Sequence, residues 1–322
     1  MRNLLRGIIG RRRGSKEIMS VGLNLRIPSI LSIGLILLMS LTGCQQRVVS
    51  HGSEHSFGAI ADCQYCSSKG RGARKFSLSE KKLQQCVDHM NKLDLDFVVH
   101  LGDFIDRDYE SFDVVGPIYN SLKMPKYHVL GNHDFSVKDE LKIAVPEKLG
   151  LTSRYYDFYV KGWRYIILDG NDISFHAHPK DSQEFKEAGE YYVKNKVKTG
   201  KYNGALGAIQ LDWVEGLLKR ASKKHEKVIL FCHFPVYPPN GHNLWNAEEL
   251  VNLLERYSCV KAYINGHNHR GKYALKNGIH YLTLKGMVDT NETSYGLVRV
   301  SDERILLEGH GRETDREMLI TD

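Results

Sequence analysis

The sequence has 322 residues, of which 42% are hydrophobic and 26% charged, a composition typical of globular proteins that excludes a disordered or fibrous chain. The formal net charge of +7 is concentrated near the amino terminus, because residues 1–43 hold seven Lys and Arg and one acidic residue, Glu17. The whole chain has 45 Lys and Arg against 38 Asp and Glu, so the rest of it is nearly neutral. No nucleic-acid partner is expected, since no basic surface would follow a phosphate backbone.

The first 43 residues have the features of an export signal. A cationic segment precedes an apolar run over residues 30–41, which is shorter than the roughly 20 residues that a membrane-spanning helix needs. The run ends with a leucine, a threonine and a glycine before Cys44, which resembles the bacterial lipobox. We therefore expect a lipoprotein signal peptide over 1–43, a lipid anchor on Cys44, a polar tether over 44–56 and one domain over 57–322. The expected localisation is a bacterial cell envelope, on the periplasmic or extracellular face of a membrane.

Five cysteines follow Cys44, and an odd number cannot all pair in disulfides. Cys63 and Cys66 have C-x-x-C spacing, but no second pair completes a zinc site, and their disulfide stays open as the less favoured alternative. Cys232 and Cys259 lie in or beside apolar runs and are expected in the core.

Short apolar runs alternate with amphipathic stretches along the rest of the chain, which predicts an α/β architecture. The predicted strands are 57–61, 97–101, 127–130, 165–168, 228–232 and 260–264, and the predicted helices are 79–93, 111–123, 209–225 and 247–257. Ser77 and Glu80 predict a capping box before the first of these helices.

Two hairpins and a closing pair of strands complete the predicted sheet elements. The hairpins flank Lys161-Gly162 and Asn277-Gly278, and the second of these dipeptides is typical of a type I′ turn. Residues 295–300 and 305–308 predict the closing pair. Residues 170–208 form a long polar stretch without clear periodicity, which predicts a functional or mobile loop.

Five of the predicted strands lead directly into polar residues. Asp62 and Gln64 follow the first strand, Asp103 and Asp106 the second, Asn132, His133 and Asp134 the third, His233 the fifth, and His267 and His269 the sixth. Sites in open α/β sheets form beyond the carboxyl ends of strands, so these side chains should converge. Two divalent metals about 3.5–4 Å apart can bind the attacking and leaving oxygens of a phosphoryl group when a carboxylate, here Asp103, bridges them.

The ordered set resembles the calcineurin-like metallophosphoesterase superfamily, whose pattern is D-x-H/Q, GD-x-x-D, GNH-D/E, a single His and GH-x-H. The resemblance implies a four-layer α/β/β/α sandwich with two central mixed sheets, and metal-dependent hydrolysis of phosphoric esters or anhydrides. It implies a first metal held by Asp62, Gln64, Asp103 and His269, and a second held by Asp103, Asn132, His233 and His267.

Four neighbouring residues receive roles from the same resemblance or from their position. His133 is implied as the general acid that faces the leaving group, and Asp106 as the residue that holds its ring protonated. Asp134 is expected either to support a metal ligand through a hydrogen bond or to organise a turn. Arg107 is expected either to contact a phosphate or to be a solvated surface charge, and both interpretations stay open.

Two residues indicate the branch of the superfamily. Asp106 stands where purple acid phosphatases have a tyrosine ligand, and Gln64 stands where the cyclic-nucleotide and sphingomyelinase-like branches have a histidine. Gln64, together with patches such as Asn203-Gly204, is similar to the manganese-dependent ADP-ribose/CDP-alcohol diphosphatases. The similarity implies cleavage of ADP-ribose to AMP and ribose 5-phosphate, or of a CDP-alcohol to CMP and a phosphoalcohol. The implied cofactors are two divalent ions, manganese first, with iron, zinc or cobalt as alternatives.

Two other functions are weighed against this one. The first is a broad phosphomonoesterase or phosphodiesterase of the same superfamily, and the second is a non-catalytic metal-binding lipoprotein. Some residues in or near the long polar stretch have open roles: the aromatic Phe175, Tyr202, Tyr237 and Trp245 would stack on a base or, as favoured, anchor loops, and His176 and His178 are expected on the surface.

Overall fold

The computed structural model describes residues 54–321, which lie within one compact unit. The strands are β1 (His55–Ile60), β2 (Phe97–His100), β3 (Lys126–His128), β4 (Tyr156–Val160), β5 (Trp163–Ile167), β6 (Ile173–Ser174), β7 (Gly204–Ala205), β8 (Lys227–Phe231), β9 (Val260–Asn265), β10 (Lys272–Lys276), β11 (Ile279–Thr283), β12 (Ser294–Val300), β13 (Arg304–Gly311) and β14 (Arg316–Leu319). The α-helices are α1 (Ser79–Met90), α2 (Ser111–Asn120), α3 (Val145–Lys148), α4 (Gln183–Lys194), α5 (Ala208–Lys223) and α6 (Ala247–Leu254). Short 3-10 helices cover Phe76–Leu78, His133–Phe135 and Asp139–Ala144.

Two six-stranded mixed sheets form the centre of the fold. The first has the order β14-β13-β12-β1-β2-β3, and the second has the order β10-β11-β9-β8-β5-β4. In the first sheet, β1 pairs in parallel with β2 and antiparallel with β12, and β2 pairs in parallel with β3. In the second sheet, β9 pairs in parallel with both β8 and β11.

Alternate residues of the central strands face two different apolar layers, as the period of two along a strand requires. Phe57 and Phe97 of the first sheet pack with Tyr165 and Phe231 of the second, so the two sheets face each other across one core. On the other face of the first sheet, Val98 packs against residues of α1 and α2. Likewise, the other face of the second sheet packs against α5 and α6. The result is the predicted four-layer α/β/β/α sandwich.

The predicted central strands and helices are confirmed, with ends that differ by a few residues. Both predicted hairpins are also present, and Asn277 and Gly278 have φ values of 48° and 78°, as a type I′ turn requires. The capping box is wrong, because α1 begins at Ser79 behind a 3-10 turn and its N-cap, Leu78, makes no side-chain hydrogen bond.

The loop predicted over 170–208 is partly wrong, because it contains α4 and the small β6–β7 ribbon. Helix α4 has a true N-cap, since Ser182 Oγ accepts a hydrogen bond from Phe185 N at 3.1 Å. Ala188 is its one fully buried residue, so the helix lacks the broad apolar stripe that reveals a helix in a sequence.

The predicted leader over 1–43 and its lipidation site, Cys44, lie outside the described residues. Strand β1 begins at His55, two residues before the predicted start of the domain. The proposed division into leader, tether and domain therefore stays a prediction. Within residues 54–321, no helix combines the length and the apolar character that crossing a membrane requires. The five described cysteines are all free, including Cys63 and Cys66.

Candidate metal centre

The carboxyl ends of β1, β2, β3, β8 and β9 bring the predicted ligands together, although the strands belong to two sheets. Asp62, Gln64, Asp103 and His267 have positive φ values of 52°, 44°, 55° and 69°. Such backbone geometry is unfavourable for residues with a Cβ and is typical of functional sites, where the surrounding structure enforces it. The strand ends thus hold these side chains in strained but fixed positions.

Asp103 lies at the middle of the site and is fully buried. Its Oδ2 accepts a hydrogen bond from Gln64 Nε2 at 2.8 Å, and its Oδ1 accepts one from His133 N at 2.7 Å. Burial alone would raise the pKa of Asp103, but the charges of His233 and His133 hold that pKa well below its ordinary value. The carboxylate is therefore ionised, and polar side chains and backbone N–H groups surround it.

Three side chains with candidate metal-ligand atoms, Asn132, His233 and His267, lie on one side of Asp103. His233 Nε2 lies 3.2 Å from Asp103 Oδ2, 3.2 Å from Asn132 Oδ1 and 3.0 Å from His267 Nδ1. His233 Nδ1 donates a hydrogen bond to Leu101 O at 2.9 Å, which directs the other ring nitrogen, Nε2, into the site as the candidate metal ligand. Asp103, His233 and His267 each offer a ligand atom within 4.8 Å of the others, so this group can hold a cation.

A second group of donors lies around Asp62. His269 Nε2 is 3.5 Å from Asp62 Oδ1, and His269 Nδ1 is 3.0 Å from Asp289 Oδ1. Gln64 Oε1 is buried and has no hydrogen-bond partner in the described part of the chain, and His269 Nε2 has only the long contact with Asp62. A buried acceptor without a partner is costly, and a metal ion bound to Gln64 Oε1 would satisfy it. The donor set therefore fits a second cation.

The field at the site is negative. Burial would lower the pKa of His233, but the charges of Asp103 and Asp62 raise it to about 9. The same pattern holds for His269, whose pKa the charge of Asp62 raises to about 9 in spite of burial. A site that stabilises positive charge on its own imidazoles also attracts divalent cations.

His133 and Asp106 form a pair at the edge of the centre. His133 Nδ1 lies 2.9 Å from Asp106 Oδ1, while Arg107 Nε donates to Asp106 Oδ2 at 2.5 Å. Burial lowers the pKa of His133, but the charge of Asp103 and the hydrogen bond that His133 donates to Asp106 raise it above its ordinary value. The imidazole can therefore carry and release a proton at Nε2.

Asp134 organises the turn, as expected from the sequence. Its carboxylate accepts hydrogen bonds from the backbone N–H groups of Asp103, Phe104, Ile105 and Gly131 at 2.7–3.2 Å. Gly131 is required beside it, because a Cβ at that position would lie 2.2 Å from Asp103 Oδ1. Asp134 thus fixes the loop that presents Asp103.

Three residues that support the ligands were not found from the sequence. Asn203 Oδ1 accepts from His267 Nε2 at 2.9 Å, and Asp289 holds His269. Buried Lys82 donates to four carbonyl oxygens, Met287 through Thr290, which fixes the segment that carries Asp289. Only Asn203 had a signal in the sequence, the Asn203-Gly204 patch, and its contact with His267 spans 64 positions.

The four aromatic residues whose roles the sequence left open fall into two groups: three anchor loops, and one lies beside the metal centre. Phe175 and Trp245 pack with ring centroids 5.4 Å apart, and Tyr237 packs against Tyr281, so these three are anchors. Tyr202 is different, because its ring is 43% exposed and its centroid lies 5.7 Å from that of His267.

His176 and His178 lie outside the metal centre, as expected. Both are half-buried rather than on the surface as predicted. His176 Nε2 lies 3.0 Å from Lys201 O.

The four-layer fold and this donor set define a metal-dependent hydrolase of phosphoric esters or anhydrides. The family model described as calcineurin-like phosphoesterase matches residues 55–271. The chain belongs to this family.

Curated relatives and a solved structure agree with that assignment. The chain is 28% identical to the manganese-dependent ADP-ribose/CDP-alcohol diphosphatase of Oryza sativa subsp. japonica, covering 87% of this chain and 99% of the relative. It is 30% identical to the Arabidopsis thaliana protein of that name, covering 80% and 94%, and 26% identical to that of Homo sapiens, covering 84% and 95%. A dimetal phosphatase from Danio rerio has the same fold, with a TM-score of 0.75, 23% identity and coverage of 83% of this chain and 99% of that one.

The predicted localisation in a bacterial cell envelope is wrong, because the curated relatives named above are plant and vertebrate proteins. That prediction depended on the leader alone, which lies outside the described residues. No feature of the described domain contributed to it.

Proposed function

We propose that the chain is a two-metal phosphohydrolase that cleaves the phosphoanhydride of nucleoside diphosphate derivatives such as ADP-ribose or a CDP-alcohol. The observation that carries the proposal is the convergence of carboxylate, amide and imidazole donors on both sides of Asp103, with His133 beside them. The names of the relatives support the substrate class and support manganese as the metal. Oxygen and nitrogen donors of this kind suit manganese, and they suit iron, zinc or cobalt as well.

The ligands divide between two cations that share Asp103. Asp62, Gln64 and His269 complete the first site, and this assignment is supported by the unpaired Gln64 Oε1 and by the closeness of His269 Nε2 to Asp62. Asn132, His233 and His267 complete the second site, supported by the 3.0–3.2 Å distances among their donor atoms. When bound, the cations supply Lewis acidity at the phosphoryl oxygens and lower the pKa of the attacking water.

His133 acts as the general acid. Asp106 accepts from its Nδ1, which orients the ring, and the negative charge of Asp106 favours the imidazolium, in which Nε2 also carries a proton. Asp106 is itself held by Arg107, so the pair is fixed before substrate binds. Proton transfer from Nε2 to the leaving oxygen is the step that this geometry supports.

The proposed function is tested by a panel of substrates with added manganese. We expect ADP-ribose and CDP-glycerol to be hydrolysed with a kcat/KM at least about tenfold above that of p-nitrophenyl phosphate, since a diphosphate offers oxygens to both cations. Products are identified by chromatography as AMP or CMP and a phosphoalcohol. If p-nitrophenyl phosphate or its bis ester is turned over and the diphosphates are not, the chain is instead a broad phosphomonoesterase or phosphodiesterase. No turnover of any ester would favour the non-catalytic metal-binding alternative.

An Asn203→Ala variant is expected to lower manganese affinity by about 10–100-fold, the usual effect of removing a residue that orients a metal-binding histidine. Asn203 fixes which nitrogen of His267 carries the proton, so its loss frees the ring to rotate. Calorimetric titration of the metal-depleted protein with manganese measures the change. Asn195→Ala is the control, because the side chain of that exposed asparagine donates to Tyr191 O, away from the metal centre. Equal affinities for the two variants would show that Asn203 does not position His267.

A further inference from the structure

A cavity of about 690 Å³ borders His133 and Asp106. Its lining carries three arginines, Arg71, Arg74 and Arg107, against one carboxylate, that of Asp106. The leaving oxygen must reach His133 to receive its proton, so whatever is bonded to that oxygen extends into this cavity. The lining therefore decides which leaving groups are accepted.

The loop that carries two of these arginines has a defined conformation. Arg71 and Arg74 pair through two backbone hydrogen bonds of 3.0 and 3.1 Å. Gly70, at φ 148°, is needed for this turn, because a Cβ there would lie 2.2 Å from Arg74 O. Arg74 also forms a backbone bridge to Asp289, the partner of His269, so the loop is tied directly to the metal centre.

Neither loop arginine forms an ion pair with a carboxylate of the described residues, although the charge of Arg74 acts on the nearby carboxylate of Asp289. Arg107 is paired with Asp106 and lies over the ring of Phe76, at 5.3 Å from the ring centroid. In contrast, within residues 54–321 no carboxylate lies at ion-pair distance from the guanidinium groups of Arg71 and Arg74. Arg71 is exposed and Arg74 is only partly exposed, so the guanidinium of Arg74 would gain more from a bound anion than a fully solvated one would.

We propose that Arg71 and Arg74, assisted by Arg107, form a subsite for the phosphate of the leaving group, and that this subsite selects phosphoesters of neutral alcohols over those of cationic alcohols. The proposal rests on the proposed function, because it concerns the half of the diphosphate that departs. The planar guanidinium groups match the oxygens of a phosphate. The same groups repel a quaternary ammonium such as that of choline, whereas glycerol or ribose is tolerated.

The test compares two substrates that share the nucleotide and the scissile bond, CDP-glycerol and CDP-choline. For the wild type we expect kcat/KM to favour CDP-glycerol by about tenfold. In the double variant Arg71→Ala with Arg74→Ala, kcat/KM for CDP-glycerol should fall by at least about tenfold, the effect of losing a charge-assisted hydrogen bond, and the preference should approach one. The preference of the Arg74→Lys variant for CDP-glycerol should lie between that of the wild type and that of the double variant. A preference that survives in the double variant contradicts the subsite.

Arg299→Ala is the matched control, since this exposed arginine pairs with Glu308 outside the cavity and its loss should change neither rate nor preference. Circular dichroism of each variant confirms that the fold is kept.

A second measurement separates failure of the subsite from failure of the proposed function. Glycerol 3-phosphate and phosphocholine are tested as inhibitors of bis-p-nitrophenyl phosphate hydrolysis. The wild type should bind glycerol 3-phosphate more tightly, and the inhibition constant should rise at least about tenfold in the double variant. If no CDP-alcohol is hydrolysed but these constants behave as expected, the proposed function is wrong and the subsite stands. Equal constants in wild type and double variant overturn the subsite whatever the substrate.

Discussion

An Asp103→Asn variant is expected to lose activity on every substrate by more than about 10³-fold, which exceeds the loss on removing one oxyanion-hole donor. Asp103 is the one carboxylate that faces both groups of donors, with Gln64 on one side and His233 on the other. The amide that replaces it has the same shape but no negative charge. Two cations a few ångströms apart would then repel each other without a shared anion between them.

Metal content separates this explanation from simple unfolding. We expect the Asp103→Asn protein to retain at most one manganese ion per chain by mass spectrometry of metals, while its far-ultraviolet circular dichroism matches the wild type. Asp157→Asn is the control, because that carboxylate pairs with Arg164 in the second sheet, away from the metal centre. Near-normal turnover by Asp103→Asn would remove Asp103 from the proposed ligand set.

The central strands could be predicted from the sequence because they are buried on both faces. β2 and β9 are buried at every residue, so each reads as a short apolar run that ends where the polar site begins. The end of a strand and the start of the site are therefore visible together, so the sequence alone could locate the motif residues at the ends of these strands.

Helix α4 and the supporting residues could not be predicted in the same way. Helix α4 packs through few residues, so its sequence resembles a polar loop. Lys82 contacts carbonyl groups 205–208 positions away, and the partners of such a lysine depend on the tertiary fold. The sequence alone does not distinguish Arg71 and Arg74 from ordinary surface charges, because only the structure shows that they border the cavity beside His133. Local patterns identify ligands at strand ends, whereas contacts that position those ligands are long-range.

His133→Ala is expected to retain both metals and to lose about 10²–10⁴-fold in kcat on ADP-ribose, the usual contribution of a positioned general acid. The side chain of His133 contacts Asp106, and only its backbone N–H reaches Asp103, so its truncation leaves the ligand atoms in place.

The size of the deficit should depend on the leaving group. p-Nitrophenolate departs without protonation, so the loss on bis-p-nitrophenyl phosphate should be at least about tenfold smaller than on ADP-ribose. Asp106→Asn should show the same dependence with a smaller deficit, because the amide oxygen can still accept from Nδ1 but no longer stabilises the imidazolium. His225→Ala, a change at an exposed histidine that follows α5, serves as the control and should behave as wild type. If His133→Ala lowers both rates by the same factor while manganese content is unchanged, His133 binds the substrate and does not donate a proton, since only proton donation distinguishes a poor leaving group from a good one.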